Sequence, residues 1–279
     1  MPTVRNDRAH DLVLGAGGVK GFGHLGLLRA LQERHIIPKR VIGVSIGSTI
    51  ATLYTNGFSV EQIRAVLLDE LHNFDKGAIG RFMWRFNPCR LVRQGGIIDL
   101  RTLFANVVEK YGLEPQPNLA IVAYDLKRRK PVLFEGTNYD LVAAISGSCA
   151  VPLVMQAMTY SHGNASAMRL VDGGLFHPCP TDFSVGPAIV SRLGLATKAA
   201  TEKLPLVDKL LHGGERLISR WWEGRFKGPR PQDILVRVGR PDVGTLTFSS
   251  SPKTFADLES YGYRIACLEL DKALAAGRL

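Results

Sequence analysis

The sequence predicts an α/β protein, with helices on both sides of a mostly parallel central sheet in a three-layer α/β/α arrangement. Three observations lead there. Two strand–turn–helix units follow one another near the start, over residues 11–35 and 41–54, and each turns through glycine. A third apolar run ends in Asp172 and is followed at once by Gly173-Gly174. The chain then closes on a β-branched run and a long amphipathic stretch. Strands alternating with helices favour parallel pairing, because each helix carries the chain back over the sheet.

Residues 11–15 read as the first strand, Leu12-Val13-Leu14 between polar and glycine flanks. Gly15-Ala16-Gly17-Gly18-Val19-Lys20-Gly21 follows and opens into residues 22–35, where Leu25, Leu28 and Leu31 have helical spacing and Pro38 lies beyond the end. A glycine-rich turn at a helix N-terminus presents backbone N–H groups to an anion. A dinucleotide site would want an acidic residue after the second strand, where this chain has Ser45 instead. A nucleotide P-loop requires Gly-Lys-Ser/Thr, and Lys20 is followed by Gly21. The remaining reading is an oxyanion hole for acyl transfer.

The second unit is Val41-Ile42-Gly43-Val44-Ser45-Ile46-Gly47-Ser48, a strand, a sharp turn and the first turn of a helix. Gly43 and Gly47 let strand and helix approach closely, which pushes the Ser45 hydroxyl out at the bend. The helix directs its unsatisfied N–H groups towards that hydroxyl and favours negative charge there. The uncharged run between Arg40 and Glu61 is long enough for a membrane span, but its Gly, Ser and Thr content fits a buried strand and helix better.

Further on, residues 59–71 predict a helix capped by Ser59, and residues 99–110 one started by Asp99. Between them, residues 81–93 mix Phe82, Trp84 and Phe86 with Arg81, Arg85, Arg90 and Arg93. Residues 119–126 and 131–135 predict a hairpin around the basic turn Lys127-Arg128-Arg129-Lys130. Residues 139–148 form a short apolar helix leading to Cys149, and residues 169–171 a strand ending at Asp172. Residues 187–190 and 234–238 are further strands, and residues 255–276 a closing helix. The expected organisation is one domain over 1–279. Its core covers about 11–190, a basic amphipathic segment with Trp221-Trp222 covers 199–229, and a closing strand and helix cover 233–276.

Composition narrows the function. The 279 residues are 46% hydrophobic and 22% charged, as a globular core requires. A net charge of +10 suggests an anionic partner. Nucleic acid is not expected, because the charges are scattered and no recognition motif appears. The four cysteines contain no Cys-x-x-Cys pair, which argues against zinc and against a disulfide framework. Residues 1–11 show no apolar secretory core. The expectation is a cytoplasmic protein; its aromatic-basic stretches 81–93 and 216–227 fit equally a peripheral contact with an anionic membrane surface or a cover for the sheet or a subunit contact.

Taken together and in order, the Gly17-Gly18-Val19-Lys20-Gly21 loop, the Gly43-Val44-Ser45-Ile46-Gly47 elbow, the segment 144–152 and Asp172-Gly173-Gly174 resemble the patatin-like phospholipases. The tail around Tyr261-Gly262-Tyr263 is similar to that family's closing helix. The resemblance implies a serine lipid acyl hydrolase with a Ser–Asp dyad and no metal or cofactor. Ser45 would be the nucleophile, Asp172 its partner, and the N–H groups of Gly17, Gly18 and Val19 the oxyanion hole. Lys20, Gly21, Gly43, Gly47, Gly173 and Gly174 would support them. The implied substrate is a phospholipid or lysophospholipid. A carboxylesterase or thioesterase acting on soluble substrates, or a binding protein that keeps the fold without turnover, are the alternatives.

Two positions depart from the family pattern: Ala16 stands where its loop has a first glycine, and Pro178 where an asparagine is frequent. Lys20 could brace the loop, meet a lipid phosphate, or lie on a helix face beside a carboxylate, and the last is preferred. His177 and His212 follow Asp172 as a triad histidine would, but that fold places more strands ahead of its serine. His24, His35, His72 and His162 are read as structural. Chemically, burial beside Leu170 and Val171 would raise the proton affinity of Asp172 enough for it to act as a base.

Overall fold

A computed structural model describes residues 10–74, 98–152, 154–161, 163, 166–194, 228–244 and 251–279. The aromatic-basic stretch 81–93, residues 199–227, His162, His212 and Cys89 lie outside the described residues. The chain divides into two compact units, Met1–Ile42 with Pro178–Leu279, and Gly43–His177.

In the first unit, strand β1 (Asp11–Leu14) runs parallel to β7 (Ala188–Arg192), with Leu12 opposite Ile189. Strand β7 in turn runs parallel to β8 (Ile234–Arg237), with Val190 opposite Leu235. β1 is buried along its whole length, as expected of a strand covered on both faces. Helix α1 (Phe22–Glu33) packs on the closing helix α6 (Pro252–Ala275). The contact is backbone against backbone. A methyl on Gly26 would lie 2.2 Å from the Tyr263 nitrogen, and one on Gly262 would lie 2.2 Å from the Gly23 carbonyl. The glycine in Tyr261-Gly262-Tyr263 is therefore a packing requirement. Stacked Phe22 and Phe255 rings and an Arg34–Asp271 ion pair hold the two ends of this contact.

The chain enters the second unit within β2 (Val41–Val44), which continues through Ser45 into α2 (Ile46–Thr55). Both elements are largely buried, as the strand-and-helix reading of this uncharged run requires. Helices α3 (Val60–Phe74) and α4 (Leu100–Tyr111) follow. α4 starts where Asp99 accepts a hydrogen bond from the Arg101 amide and ends at Gly112 in the left-handed conformation. Strand β3 (Leu119–Asp125) pairs antiparallel with β4 (Lys130–Glu135), forming the hairpin around Lys127–Lys130. Helix α5 (Leu141–Cys149), capped by Asp140, lies between this hairpin and β6 (Met168–Asp172) in the sequence. β6 pairs antiparallel with β3, and β5 (Met158–Tyr160) pairs antiparallel with β6.

The α/β class thus holds, and the sheet is mixed: parallel pairing in the first unit and antiparallel pairing around β3 and β6 in the second. The sequence predicts at least five strands; the described residues contain eight. Among the described residues no helix is long and apolar enough to cross a membrane.

Candidate active site

The second unit carries the elbow whole. Ser45 has φ 54° and ψ −130°, a backbone conformation that costs a residue with a side chain about 1–3 kcal/mol. Close packing imposes it. A methyl on Gly43 would stand 2.4 Å from the Gly47 carbonyl oxygen and 2.5 Å from the Ser48 Cα, so strand and helix touch through backbone alone. Although Ser45 is the residue that precedes α2, its hydroxyl does not cap the helix. Ser48 ties the turn instead, its amide and its hydroxyl donating to the Ser45 carbonyl at 2.8 and 2.7 Å.

The freed Ser45 hydroxyl donates to Asp172 Oδ2 at 2.7 Å. Asp172 ends β6 opposite Ala123, and its amide donates to the Ala150 carbonyl at 2.9 Å. Its second oxygen accepts the Gly174 amide at 2.7 Å. That tight turn explains Gly173, where a methyl would meet the Val122 carbonyl at 2.6 Å. Ser45 and Asp172 are both buried, at 8% and 3% exposure. Burial raises the Asp172 carboxyl to about 7, against the opposing pull of the hydrogen bonds from Ser45 and Gly174. A carboxyl in that range exchanges a proton with an alcohol at neutral pH far more readily than an ordinary aspartate does.

Two side chains here lie in the segment 144–152 that carries part of the resemblance, but the sequence assigned neither a role. Ser148 accepts the Ser45 amide at 2.9 Å and donates its own proton to the Val122 carbonyl at 2.7 Å, so β3 holds the elbow through one hydroxyl. Cys149 lies against the first turn of α2, with Ser48 and Thr49 hydroxyls at 3.9 and 3.8 Å. Burial, and then the neighbouring Asp172 charge, push its thiol up to about 12, so it stays protonated. The position of α5 that delivers both depends on Gly147, where a methyl would meet Leu170 Cβ at 2.8 Å.

The glycine loop belongs to the first unit. Gly18–Gly21 forms a single 3-10 turn ahead of α1, with Gly18 in the left-handed region at φ 52°. The Gly15 amide donates to Ser191 and the Ala16 amide to Pro178, so the carbonyl of the departing Pro178 braces the loop. A methyl on Gly17 would meet Leu193 Cβ at 2.6 Å. Lys20 is fully buried and its Nζ donates to the Gly194 carbonyl at 3.2 Å. Lys20 thus has the neighbouring carboxylate that the preferred reading expected, Asp242, whose carboxyl is lowered by its hydrogen bond with Arg240 and also by the Lys20 charge. The fold adds that the Lys20 stem lies in the core and its head group braces the exit of β7. His24 is also buried, with one ring nitrogen on the Gly15 carbonyl at 2.9 Å and the other on the Ser191 hydroxyl at 2.7 Å. Burial lowers its pKa to about 4 despite the Gly15 contact, so the ring is neutral and its Nε2–H donates to Gly15.

The Ser45 hydroxyl therefore meets a carboxylate rather than an imidazole. His177 follows the same turn, its amide donating to the Gly173 carbonyl at 2.8 Å. The family model for patatin-like phospholipases matches residues 12–184, more than half of the chain. The chain belongs to the patatin-like phospholipase family.

The chain is 28% identical over 175 residues to an uncharacterized NTE family protein of Mycobacterium tuberculosis, covering 61% of this chain and 43% of that protein. It is 25% identical over 191 residues to a cUMP-AMP-activated phospholipase of Escherichia coli, covering 64% of this chain and 59% of the relative. The chain thus spans about half the length of these relatives. Among solved structures, VipD from Legionella pneumophila shares the fold at 16% identity with a TM-score of 0.52, over 95% of this chain and 67% of VipD.

Proposed function

We propose that this patatin-like protein hydrolyses carboxylic ester bonds of phospholipids or lysophospholipids through an acyl-enzyme on Ser45, with residues 1–279 acting as one hydrolase domain. The observation that supports the reading most is the 2.7 Å hydrogen bond from the buried Ser45 hydroxyl to the buried Asp172 carboxylate.

As the ester carbonyl arrives, Asp172 takes the hydroxyl proton and the Ser45 oxygen attacks carbon. Negative charge moves to the carbonyl oxygen. The N–H groups of Gly17, Gly18 and Val19 are assigned to receive it, with the N-terminal end of α2 adding positive potential. Collapse breaks the C–O bond, and the departing alcohol takes the proton from Asp172. Water then enters, gives a proton to Asp172 and attacks the acyl carbon. The fatty acid leaves and the proton returns to Ser45. Lys20 and His24 touch no reacting atom in this scheme and hold the glycine loop by its Gly194 and Gly15 attachments. The family name and the phospholipase relative make a lipid ester the first substrate to try.

A fluorophosphonate probe on purified protein, followed by a panel of phospholipids, lysophospholipids and short soluble esters and thioesters, tests this. Labelling is expected in the wild type, absent in Ser45→Ala, with lipid esters turned over faster than soluble ones. Labelling with turnover of soluble esters or thioesters alone would make the protein a carboxylesterase or thioesterase. An unlabelled wild type would make it a binding protein.

A further inference from the structure

The tip of the β3–β4 hairpin is built in a way that hairpin stability does not explain. Residues 126–130, Leu126-Lys127-Arg128-Arg129-Lys130, are all exposed. Arg129 sits at φ 53°, in the left-handed region that favours glycine or asparagine. A turn selected for ease of folding would place glycine there. This one keeps a cation there instead, the third in a run of four.

The turn is also held in shape. Asp125 is fully buried and accepts the Lys127 amide at 3.0 Å, the Arg169 amide at 3.1 Å and Arg128 Nη1 at 2.8 Å. Arg128 reaches on to the Ser166 carbonyl and hydroxyl at 3.0 and 2.8 Å, and Lys127 Nζ to the Ala167 carbonyl at 3.0 Å. Residues 126–134 and 159–171 contain no acidic side chain, and among the described residues Asp125 is the carboxylate hydrogen-bonded to Lys127, Arg128 and Arg169. Leu126, 39% exposed, stands at the base of the cluster. Ala123 pairs with Asp172 and Asp125 with Leu170, which places the start of the tip about 7 Å along β3 from the carboxylate's level.

We infer that this hairpin tip seats the protein on an anionic phospholipid bilayer. The cations meet lipid headgroups, and Leu126 offers apolar surface at the same edge. A lipid surface fits better than nucleic acid, because the tip has no aromatic ring to stack on a base and no amide side chain to read one. The inference rests on the lipid-ester reading of Ser45, and it adds a docking element that the aromatic-basic stretches of the sequence did not include.

The test separates the two. Binding is measured by co-sedimentation of the full chain carrying Ser45→Ala, so turnover plays no part. The vesicles are equal parts phosphatidylcholine and phosphatidylglycerol, or phosphatidylcholine alone, at low salt. Anionic vesicles are expected to be preferred. Adding Lys127→Gln, Arg129→Gln and Lys130→Gln is expected to weaken that binding about 100-fold, from roughly fivefold per cation. Arg129→Gly is expected to raise the melting temperature and yet weaken binding about fivefold. Equal binding to neutral vesicles, no binding to anionic ones, or unchanged binding in both variants would overturn the inference. Tighter capture of duplex DNA than of anionic vesicles, lost in the same variants, would overturn it in favour of nucleic acid. In the Ser45 background the hairpin changes are expected to leave hydrolysis of a soluble ester intact. A wild type without that hydrolysis strikes the function and leaves the docking result standing.

Discussion

Ser148 holds Ser45 by its backbone: the hydroxyl accepts the Ser45 amide at 2.9 Å while donating to Val122. The strained turn at Ser45 is thus tied to β3 through a side chain 103 residues away in sequence. Ser148→Ala leaves a buried donor and a buried acceptor unmatched. It is expected to cost about 2–4 kcal/mol in denaturant unfolding and to lower kcat about tenfold with KM little changed. An enzyme that loses KM alone would show that Ser148 does not position the nucleophile.

The strain at Ser45 has its own readout. Ser45→Ala keeps a side chain at φ 54°, whereas Ser45→Gly releases it. Both are expected to be inactive, with the glycine variant more stable than the alanine variant by about 1 kcal/mol. Equal melting temperatures would mean that the turn stores no strain.

Gly43→Ala tests the packing that creates the turn. A methyl 2.4 Å from the Gly47 carbonyl forces β2 and α2 apart. A stability loss of about 1–3 kcal/mol is expected together with loss of probe labelling, since the bend opens as the elements separate. A folded variant that labels at the wild-type rate would show that the close approach is dispensable.

Two buried groups pull stability in opposite directions with pH. Asp172 has its carboxyl raised to about 7, so the native chain holds a proton that the unfolded chain releases near 4. Stability from this group is present in acid and lost as pH rises through 7. His24 is lowered to about 4, so the unfolded chain binds the extra proton between 4 and 6.5, and stability is lost as pH falls. Between pH 4 and 6.5 the two slopes largely cancel in the wild type. Asp172→Asn is expected to gain up to about 4 kcal/mol at pH 8 relative to wild type and to show an uncovered loss of stability in acid. His24→Gln is expected to show the reverse slope. Urea melts across this range decide it, and parallel curves for all three proteins would contradict both assignments.

These features were unequally legible in the sequence. Gly43, Ser45 and Gly47 announce the elbow because the steric demand is local. Asp172 was singled out by the resemblance to the patatin-like pattern, since a strand, an acid and two glycines taken alone also fit an ordinary Asp-Gly turn. The Lys127–Lys130 hairpin declared itself by pattern. Ser148 did not, because its value lies in a contact with Ser45 that no spacing encodes. The burial of Lys20 was not legible for a related reason: the sequence suggests a carboxylate beside it, and only the fold reveals the Gly194 carbonyl that holds its head group inside. Strand β5 was missed because Met158–Tyr160 is three residues long and pairs only at the sheet's margin.

The most direct measurement is the pH dependence of Ser45 acylation by a fluorophosphonate or activated ester, in wild type and in Asp172→Asn. In the wild type the rate is expected to rise through a pKa near 7 as the Asp172 carboxyl loses its proton. In the variant it is expected to fall about 10²–10⁴-fold and to lose that inflection. An Asp172→Asn protein that acylates at the wild-type rate, with the same profile, would contradict the pairing of this serine with this aspartate.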